Sequence, residues 1–194
     1  AGRSTNDFSA NGSSSPYYYP EGLGHQALFA RIQRVKALLA GQDYVGAGFI
    51  WYQGEGNCNT DNPRYFEMLK DLVDGAKLVP DPVQPTWGDD PAITATNGIR
   101  QELNSPDMPF VVARVSSEFT AWGTSTNKDW TPQRERCRRD LVNVTRELTP
   151  AAFIDVDDRP VKDDYHYAAS ERNIMGQRFG EALVKLWGAP VIRP

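Results

Sequence analysis

Residues 45–52 of the chain read VGAGFIWY, and QGEGN follows directly at residues 53–57. The apolar run does not alternate with polar residues, which is typical of a strand covered on both faces, as in a parallel sheet. The glycines and polar residues that come next indicate a loop. The sequence therefore predicts a buried strand at residues 45–52 with a polar loop at its carboxyl end.

Helical and strand patterns alternate along the rest of the chain. The predicted helices span about residues 28–39, 61–78, 131–148 and 170–186. Gly41 follows the first of these helices as a stop signal. Two further apolar runs predict strands at residues 110–115 and 152–156.

The order of these elements predicts the fold class. Helix, strand, helix, strand, helix, strand, helix requires right-handed crossovers and a parallel sheet. We therefore expect an α/β protein with a doubly wound parallel sheet and helices on both faces, in one domain over residues 1–194. Reactive groups gather at the carboxyl ends of the strands in such folds.

Two regions fall outside this alternation. Residues 1–22 are rich in Ser, Gly, Asn and Tyr and predict an irregular loop. Residues 79–107 contain many prolines and form a long insertion, with a short helix expected near residues 99–103.

Composition limits the classes of partner. The chain has 194 residues, 40% of them hydrophobic, a net charge of -4 and no basic cluster, so nucleic acid is not an expected partner. No apolar run reaches the roughly 20 residues that span a bilayer, so no membrane partner is expected. The two histidines and two cysteines are too far apart for a closed zinc site, and we expect no metal and no cofactor.

The two cysteines, Cys58 and Cys137, allow two interpretations. They form one disulfide, or they are two free buried thiols, since spacing alone does not show whether they are close together. A disulfide, with the possible glycosylation sites at Asn11 and Asn143, favours a secreted or extracellular protein.

An acid and an imidazole stand three positions apart near the end of the chain, at Asp163 and His166. A carboxylate that orients an imidazole lets the ring act as a general base toward a hydroxyl and then as an acid toward the leaving group. This pattern indicates a hydrolase. Asp164 is the alternative acid, whereas His25 is interpreted as a helix-cap or surface residue.

These segments together carry a family resemblance. WYQGEGN at residues 51–57, DDYH at 163–166 and GQRFG at 176–180 resemble the SGNH (GDSL-like) hydrolases. More narrowly, they are similar to the carbohydrate esterase branch that includes sialate O-acetylesterases and acetylxylan esterases. The resemblance covers about residues 23–187 and implies a flavodoxin-like SGNH fold. It also implies a serine esterase that removes acetyl groups from O-acetylated carbohydrate.

Carried onto this sequence, the resemblance implies a role for each motif residue. His166 is the general base, and Asp163 fixes its tautomer. Gln53 and Gly54 contribute to the oxyanion hole, and Glu55 is a buried, hydrogen-bonded organiser. Gly56 and Asn57 stand where the family often has Ser-Asp, which leaves the Asn57 amide as a further polar donor.

The nucleophilic serine is not identified by the resemblance. The family carries it in a G-Q-S-N or G-D-S block after its first strand, well ahead of the motif that begins at Trp51. Here residues 1–9 match a later G-G-T-S segment better, so we expect the first strands and the serine to come from an absent or separate segment. That segment is either a separate N-terminal polypeptide that completes the sheet or the preceding part of a longer protein. Otherwise Ser4 is the nucleophile of a shortened fold.

Two other functions are consistent with the same residues. The chain can be a non-catalytic carbohydrate-binding or structural protein that kept the fold, with aromatic loop residues as sugar contacts. The residues considered for such contacts are Tyr17, Tyr18, Tyr19, Trp87, Trp122 and Trp130. The other alternative is an arylesterase or lipase of the same superfamily, which predicts a preference for longer acyl chains.

Overall fold

The structure, a computed structural model, describes residues 23–54, 65–77, 95–117, 131–162 and 167–188. The chain divides into two compact units, one formed by residues 1–47 and 66–108 and the other by residues 48–65 and 109–194. In chain order the described elements are α1 (Leu23–Leu38), β1 (Phe49–Trp51), α2 (Tyr65–Asp74), β2 (Ala76–Lys77), β3 (Ala95–Thr96), α3 (Ile99–Glu102), β4 (Phe110–Ala113), α4 (Thr131–Glu147), β5 (Ala151–Ile154) and α5 (Ala169–Gly188).

The second unit contains a three-stranded parallel sheet in the order β1-β4-β5. Phe49 of β1 is paired with Phe110 of β4, which in turn is paired with Ala151 of β5. The two phenylalanine rings stack with their centroids 5.7 Å apart. The prediction of an α/β protein with a parallel sheet is therefore confirmed.

The middle strand β4 is completely buried, which explains why residues 110–113 are an unbroken apolar run. Val111 and Ala113 of β4 share a buried cluster with Met175 and Phe179 of α5. Helix α4 packs on β4 and β5 as well. The helices predicted at 131–148 and 170–186 are thus confirmed, both packed on the strands that were predicted beside them.

Helix α5 also lies close to the chain just before β1. A side chain at Gly48 would place its Cβ 2.6 Å from Cδ2 of Leu183, so any larger residue would require the end of the Leu183 side chain to shift. The prediction of a strand over residues 45–52 is wrong in length, because β1 has only residues 49–51. It is also wrong in its burial, since Ile50 is 45% exposed.

The first unit contains α1, α3, β2 and β3 and all of α2 except Tyr65. Gly41, with a φ of 79°, follows α1 as predicted. Val35 has the helical spacing of the apolar face with Leu28, Ile32 and Leu39, but it is exposed. The short helix predicted near residues 99–103 is present as α3.

The end of α2 differs from the prediction. The helix ends at Asp74 because Gly75 adopts a left-handed φ of 83°, and the next two residues form β2, which pairs antiparallel with β3. The helix was predicted to reach Leu78, and no strand was predicted at residues 95–96. Buried Arg100 holds the following segment, since Nε donates to the Met108 carbonyl at 3.0 Å and Nη1 lies 3.0 Å from the Asp74 carboxylate.

None of the described helices is long and apolar enough to cross a membrane.

Candidate active site

The loop after β1 carries the two predicted oxyanion-hole residues that the structure describes. Gln53 is half-buried and Gly54 is buried. The phenol of Tyr65, which is only 1% exposed, donates to the backbone carbonyl of Gln53 at an O···O distance of 2.5 Å. The phenol oxygen of Tyr65 also accepts a hydrogen bond from the indole N–H of Trp51 at 3.3 Å, and it lies 3.5 Å from Oε1 of the Gln53 side chain.

Gly54 is enclosed by side chains of α4 and of the segment after β4. A Cβ added to it would lie 2.7 Å from Cγ1 of Val115 and 3.4 Å from Cδ1 of Leu141. Sγ of Cys137 lies 3.6 Å from the Gly54 carbonyl oxygen. Cys137 is disulfide-bonded, and the chain's other cysteine, Cys58, lies outside the described residues. Of the two interpretations of the cysteines, the structure therefore supports the disulfide.

A tyrosine of the first predicted motif contacts the tyrosine that follows the second. Tyr52, which precedes Gln53, packs on Tyr167, which follows His166, with ring centroids 6.2 Å apart. Tyr167 is buried, and its hydroxyl donates to the Val156 carbonyl at 3.3 Å. An isolated bridge also pairs Val161 with Tyr167, so both ends of the segment that carries Asp163 and His166 are fixed.

The side chains of the other predicted site residues are outside the described part of the chain. They are Glu55, Asp163, His166 and the alternative nucleophile Ser4. The secondary candidates Asp164 and Asn57, the side chain of His25 and the six aromatic residues considered for sugar contact are outside it too. Their predicted roles stay predictions.

A charged cluster, which we call the Asp157 cluster, lies at the ends of β4 and β5 and consists of Asp157, Arg114, Arg138 and Ser117. Arg138 is buried and donates to both carboxylate oxygens of Asp157, at 2.9 and 2.6 Å. Arg114 donates to the same carboxylate at 2.9 Å, as does the backbone N–H of Ser117. Arg138 also donates to the carbonyl of Val115, just after β4.

Electrostatics in this cluster favour the charged carboxylate. Partial burial raises the pKa of Asp157, but the hydrogen bonds from Arg138 and Ser117 and the charges of Arg138 and Arg114 outweigh this and lower the pKa to about 2. Burial lowers the pKa of Arg138, but the hydrogen bonds to Asp157 and the charge of that carboxylate outweigh this effect, so the pKa is raised overall. The pair is therefore fully ionised at neutral pH and serves to hold the two strand ends together.

A more exposed set of ion pairs follows β5. The Asp158 carboxylate accepts from Arg178 of α5 and from Arg159, and these two cations lower its pKa. Arg178 donates as well to the backbone carbonyl of Asp155 at 2.6 Å. These contacts fix the start of the loop that leads toward Asp163.

Sequence reasoning did not assign a site role to Tyr65, Arg138 or Asp157. Tyr65 has the helical spacing of a residue on the buried face of the second predicted helix, and neither charged residue belongs to a motif. One signal was present in the sequence, because Asp157 and Asp158 directly follow the strand predicted at residues 152–156 and such positions face the reactive edge of a parallel sheet.

The described residues also form a groove of about 360 Å³ between β5 and α5. The groove is lined by Ala152, Phe153 and Ile154 of the strand, by Asp155 just after it, and by residues of α5 between Arg178 and Leu186. The lining mixes apolar with charged side chains. No predicted site residue is among those lining residues. In the described part of the chain, no group of three or more His, Cys, Asp or Glu side chains is arranged to hold a metal ion.

Searches against models of known protein families and against characterised proteins return no match for this sequence.

Proposed function

We propose that the protein is a serine esterase of the SGNH (GDSL-like) class that removes acetyl groups from O-acetylated carbohydrate. The observation that carries the proposal is the contact between Tyr52 and Tyr167. This contact links the residue before Gln53 with the residue after His166. It supports a site in which the oxyanion donors and the general base share the carboxyl edge of one parallel sheet.

In the proposed mechanism a serine hydroxyl attacks the acetyl carbonyl while His166 accepts the hydroxyl proton. Asp163 stabilises the resulting imidazolium. Gln53 and Gly54 donate hydrogen bonds to the oxyanion, and each such donor typically contributes about 2.7–4 kcal/mol to the transition state. His166 then gives its proton to the departing sugar oxygen as the ester C–O bond breaks. A water molecule that loses a proton to His166 next attacks the acyl-enzyme, which releases acetate and returns the proton to the serine.

We further propose that the serine arrives on a strand beside β1. Within the described residues β1 pairs with β4 alone, and Ile50 is half-exposed. A further parallel strand at this edge would cover β1 and extend the sheet toward the doubly wound arrangement. An open edge with exposed apolar side chains favours such pairing. The strand comes from a segment ahead of β1 or from a separate polypeptide.

The disulfide at Cys137 supports a location in an oxidising compartment, because disulfides are rare in the cytosol. We therefore propose that the protein is secreted or extracellular.

The test combines covalent labelling with turnover. The purified protein is treated with a fluorophosphonate, which marks an activated serine, and each polypeptide is weighed under denaturing conditions. A label together with release of acetate from an acetyl ester is expected, and His166→Ala is expected to abolish both. His25→Ala is the matched control, because it removes the chain's other histidine.

The remaining outcomes decide between the alternatives. A label mapped to Ser4 would place the nucleophile in a shortened fold, and a label on a second polypeptide would identify the partner of β1. Faster cleavage of long acyl esters than of acetyl esters would indicate a lipase or arylesterase. Binding of glycans without label or turnover would refute the esterase proposal in favour of a carbohydrate-binding protein.

A further inference from the structure

We infer that Tyr65 is a positioning residue that holds the Gln53–Gly54 loop in the orientation needed to bind an oxyanion. The inference rests on the proposed esterase function. It starts from the environment of the phenol, which is almost fully buried and touches three polar atoms of the β1 end: the Gln53 carbonyl, the Trp51 indole and the Gln53 amide.

The hydrogen bond to the Gln53 carbonyl fixes the peptide plane that follows. A hydroxyl has one proton, and Tyr65 directs it at this carbonyl at an O···O distance of 2.5 Å. In a planar trans peptide the C=O of one residue and the N–H of the next point in opposite directions. Because the Gln53 carbonyl points toward the phenol, the Gly54 N–H points away from it. The phenol therefore sets the direction of the backbone donor that the proposed oxyanion hole uses.

The side chain of Gln53 also lies beside this group. Its Oε1 is 3.5 Å from the phenol oxygen, at the limit of hydrogen-bond range, while the single phenol proton is directed at the Gln53 carbonyl. The hydroxyl therefore sets the direction of the backbone donor, and the Gln53 side chain only lies next to it.

The indole of Trp51 fixes the phenol in turn. Trp51 is 7% exposed and donates to the phenol oxygen, so removal of the hydroxyl leaves an indole N–H and a backbone carbonyl without this partner. Such a loss is expected to displace the Gln53–Gly54 loop and to leave the groups that take part in the reaction unchanged. A displacement of about 1 Å at a reacting centre costs about 100-fold in rate, and loss of one oxyanion donor costs about 100- to 1,000-fold in kcat.

The experiment replaces Tyr65 with 4-methylphenylalanine and with 4-aminophenylalanine in the intact protein. The methyl group fills the place of the hydroxyl without donating, whereas the amino group donates a hydrogen bond. Acetyl ester hydrolysis by the methyl variant is expected to lose about 10- to 100-fold in kcat, with KM within about twofold and an unchanged pH midpoint. The amino variant is expected to regain most of the loss.

Ser105→Ala is the matched control. Its hydroxyl also makes two hydrogen bonds, accepting from the Gly46 N–H at 2.8 Å and donating to the Leu103 carbonyl at 3.1 Å, but it belongs to the other compact unit. Its removal is expected to lower stability without lowering kcat. Equal losses of kcat in this variant and in the methyl variant would mean that Tyr65 acts only on stability.

A second readout follows the phenol directly. Among the five indole N–H signals in an NMR spectrum of the 15N-tryptophan-labelled protein, the Trp51 signal is expected to shift in the methyl variant. A shifted Trp51 signal with kcat within twofold of the wild type would overturn the positioning role and leave the esterase proposal intact. Absence of turnover and of fluorophosphonate labelling in the wild type would instead refute the esterase proposal, and the inference with it.

Discussion

Asp157→Asn tests whether the Asp157 cluster holds the strand ends together. The substitution keeps the shape of the side chain and removes its charge. Arg138, whose side chain is 7% exposed, then loses the carboxylate that accepts two of its hydrogen bonds. Breaking a buried ion pair from one side costs about 3–5 kcal/mol, and we take the lower end because the Asp157 side chain is 27% exposed.

The pKa gives an independent magnitude. A carboxyl whose pKa falls from 3.8 to about 2 on folding contributes about 2.5 kcal/mol to the free energy of unfolding at neutral pH. Because the folded-state pKa is the lower one, this contribution is complete above about pH 4 and is lost as the pH falls toward 2. From the broken ion pair and from the pKa shift we therefore expect Asp157→Asn to lose about 2.5–3 kcal/mol of unfolding free energy, or about 5–12 °C in the unfolding midpoint.

The assay is urea unfolding followed by circular dichroism, at neutral pH and at steps down to pH 2. Asp157→Asn is expected to unfold at lower urea and to lose less stability than the wild type between pH 4 and pH 2. Asp158→Asn is the matched control, because Asp158 pairs with two arginines but its side chain is 52% exposed. A variant at Asp157 that unfolds with the wild-type midpoint, or no earlier than Asp158→Asn, would refute the structural role of the cluster.

Two further predictions concern the Gln53–Gly54 loop. Gly54→Ala forces a Cβ to 2.7 Å from Cγ1 of Val115. We therefore expect this variant to lose about 1–3 kcal/mol of unfolding free energy in urea and to have lower esterase activity. Gly176→Ala is the control, because Gly176 has open space around it on α5, and it is expected to gain about 0.5–1 kcal/mol. Equal stability of the two variants would contradict the packing seen here. Peptide mapping without reductant is expected to recover Cys137 linked to Cys58, and reduction is expected to lower the free energy of unfolding by about 2–5 kcal/mol. Recovery of both thiols as free would rule out the disulfide.

The sheet could be predicted from sequence because its central strand is buried on both sides. Residues 110–113 carry no polar side chain, and the structure covers all four of them. The first strand was predicted too long because residues 45–48 are also apolar or glycine, and composition does not distinguish a strand from the chain that leads into it. The end of α2 was missed because its apolar spacing continues to Leu78, whereas the left-handed φ of Gly75 ends the helix.

The site could be predicted only where neighbouring residues form a motif. Gln53 and Gly54 follow β1 directly, so local sequence placed them at a strand end. Tyr65 lies twelve positions from Gln53, and its apolar ring fits the buried face of a helix, so its hydrogen bond depends on tertiary packing. Arg138 and Asp157 lie 19 positions apart on separate elements, and such an ion pair leaves no periodic signal in the sequence.

Two adjacent residues of α4 connect the ends of all three parallel strands. Sγ of Cys137 contacts the Gly54 carbonyl after β1, while Arg138 donates to the Val115 carbonyl after β4 and to Asp157 after β5. One turn of helix therefore sets the spacing of the three loops from which a site at this edge would be built. Because interiors are close-packed, a shift of this turn would move the loops together rather than singly. The disulfide and the Asp157 cluster act on that same turn of α4. Tyr65, at the start of α2, instead holds the loop after β1 through its hydrogen bond to the Gln53 carbonyl. Stability and activity should therefore change together in variants of this turn of α4.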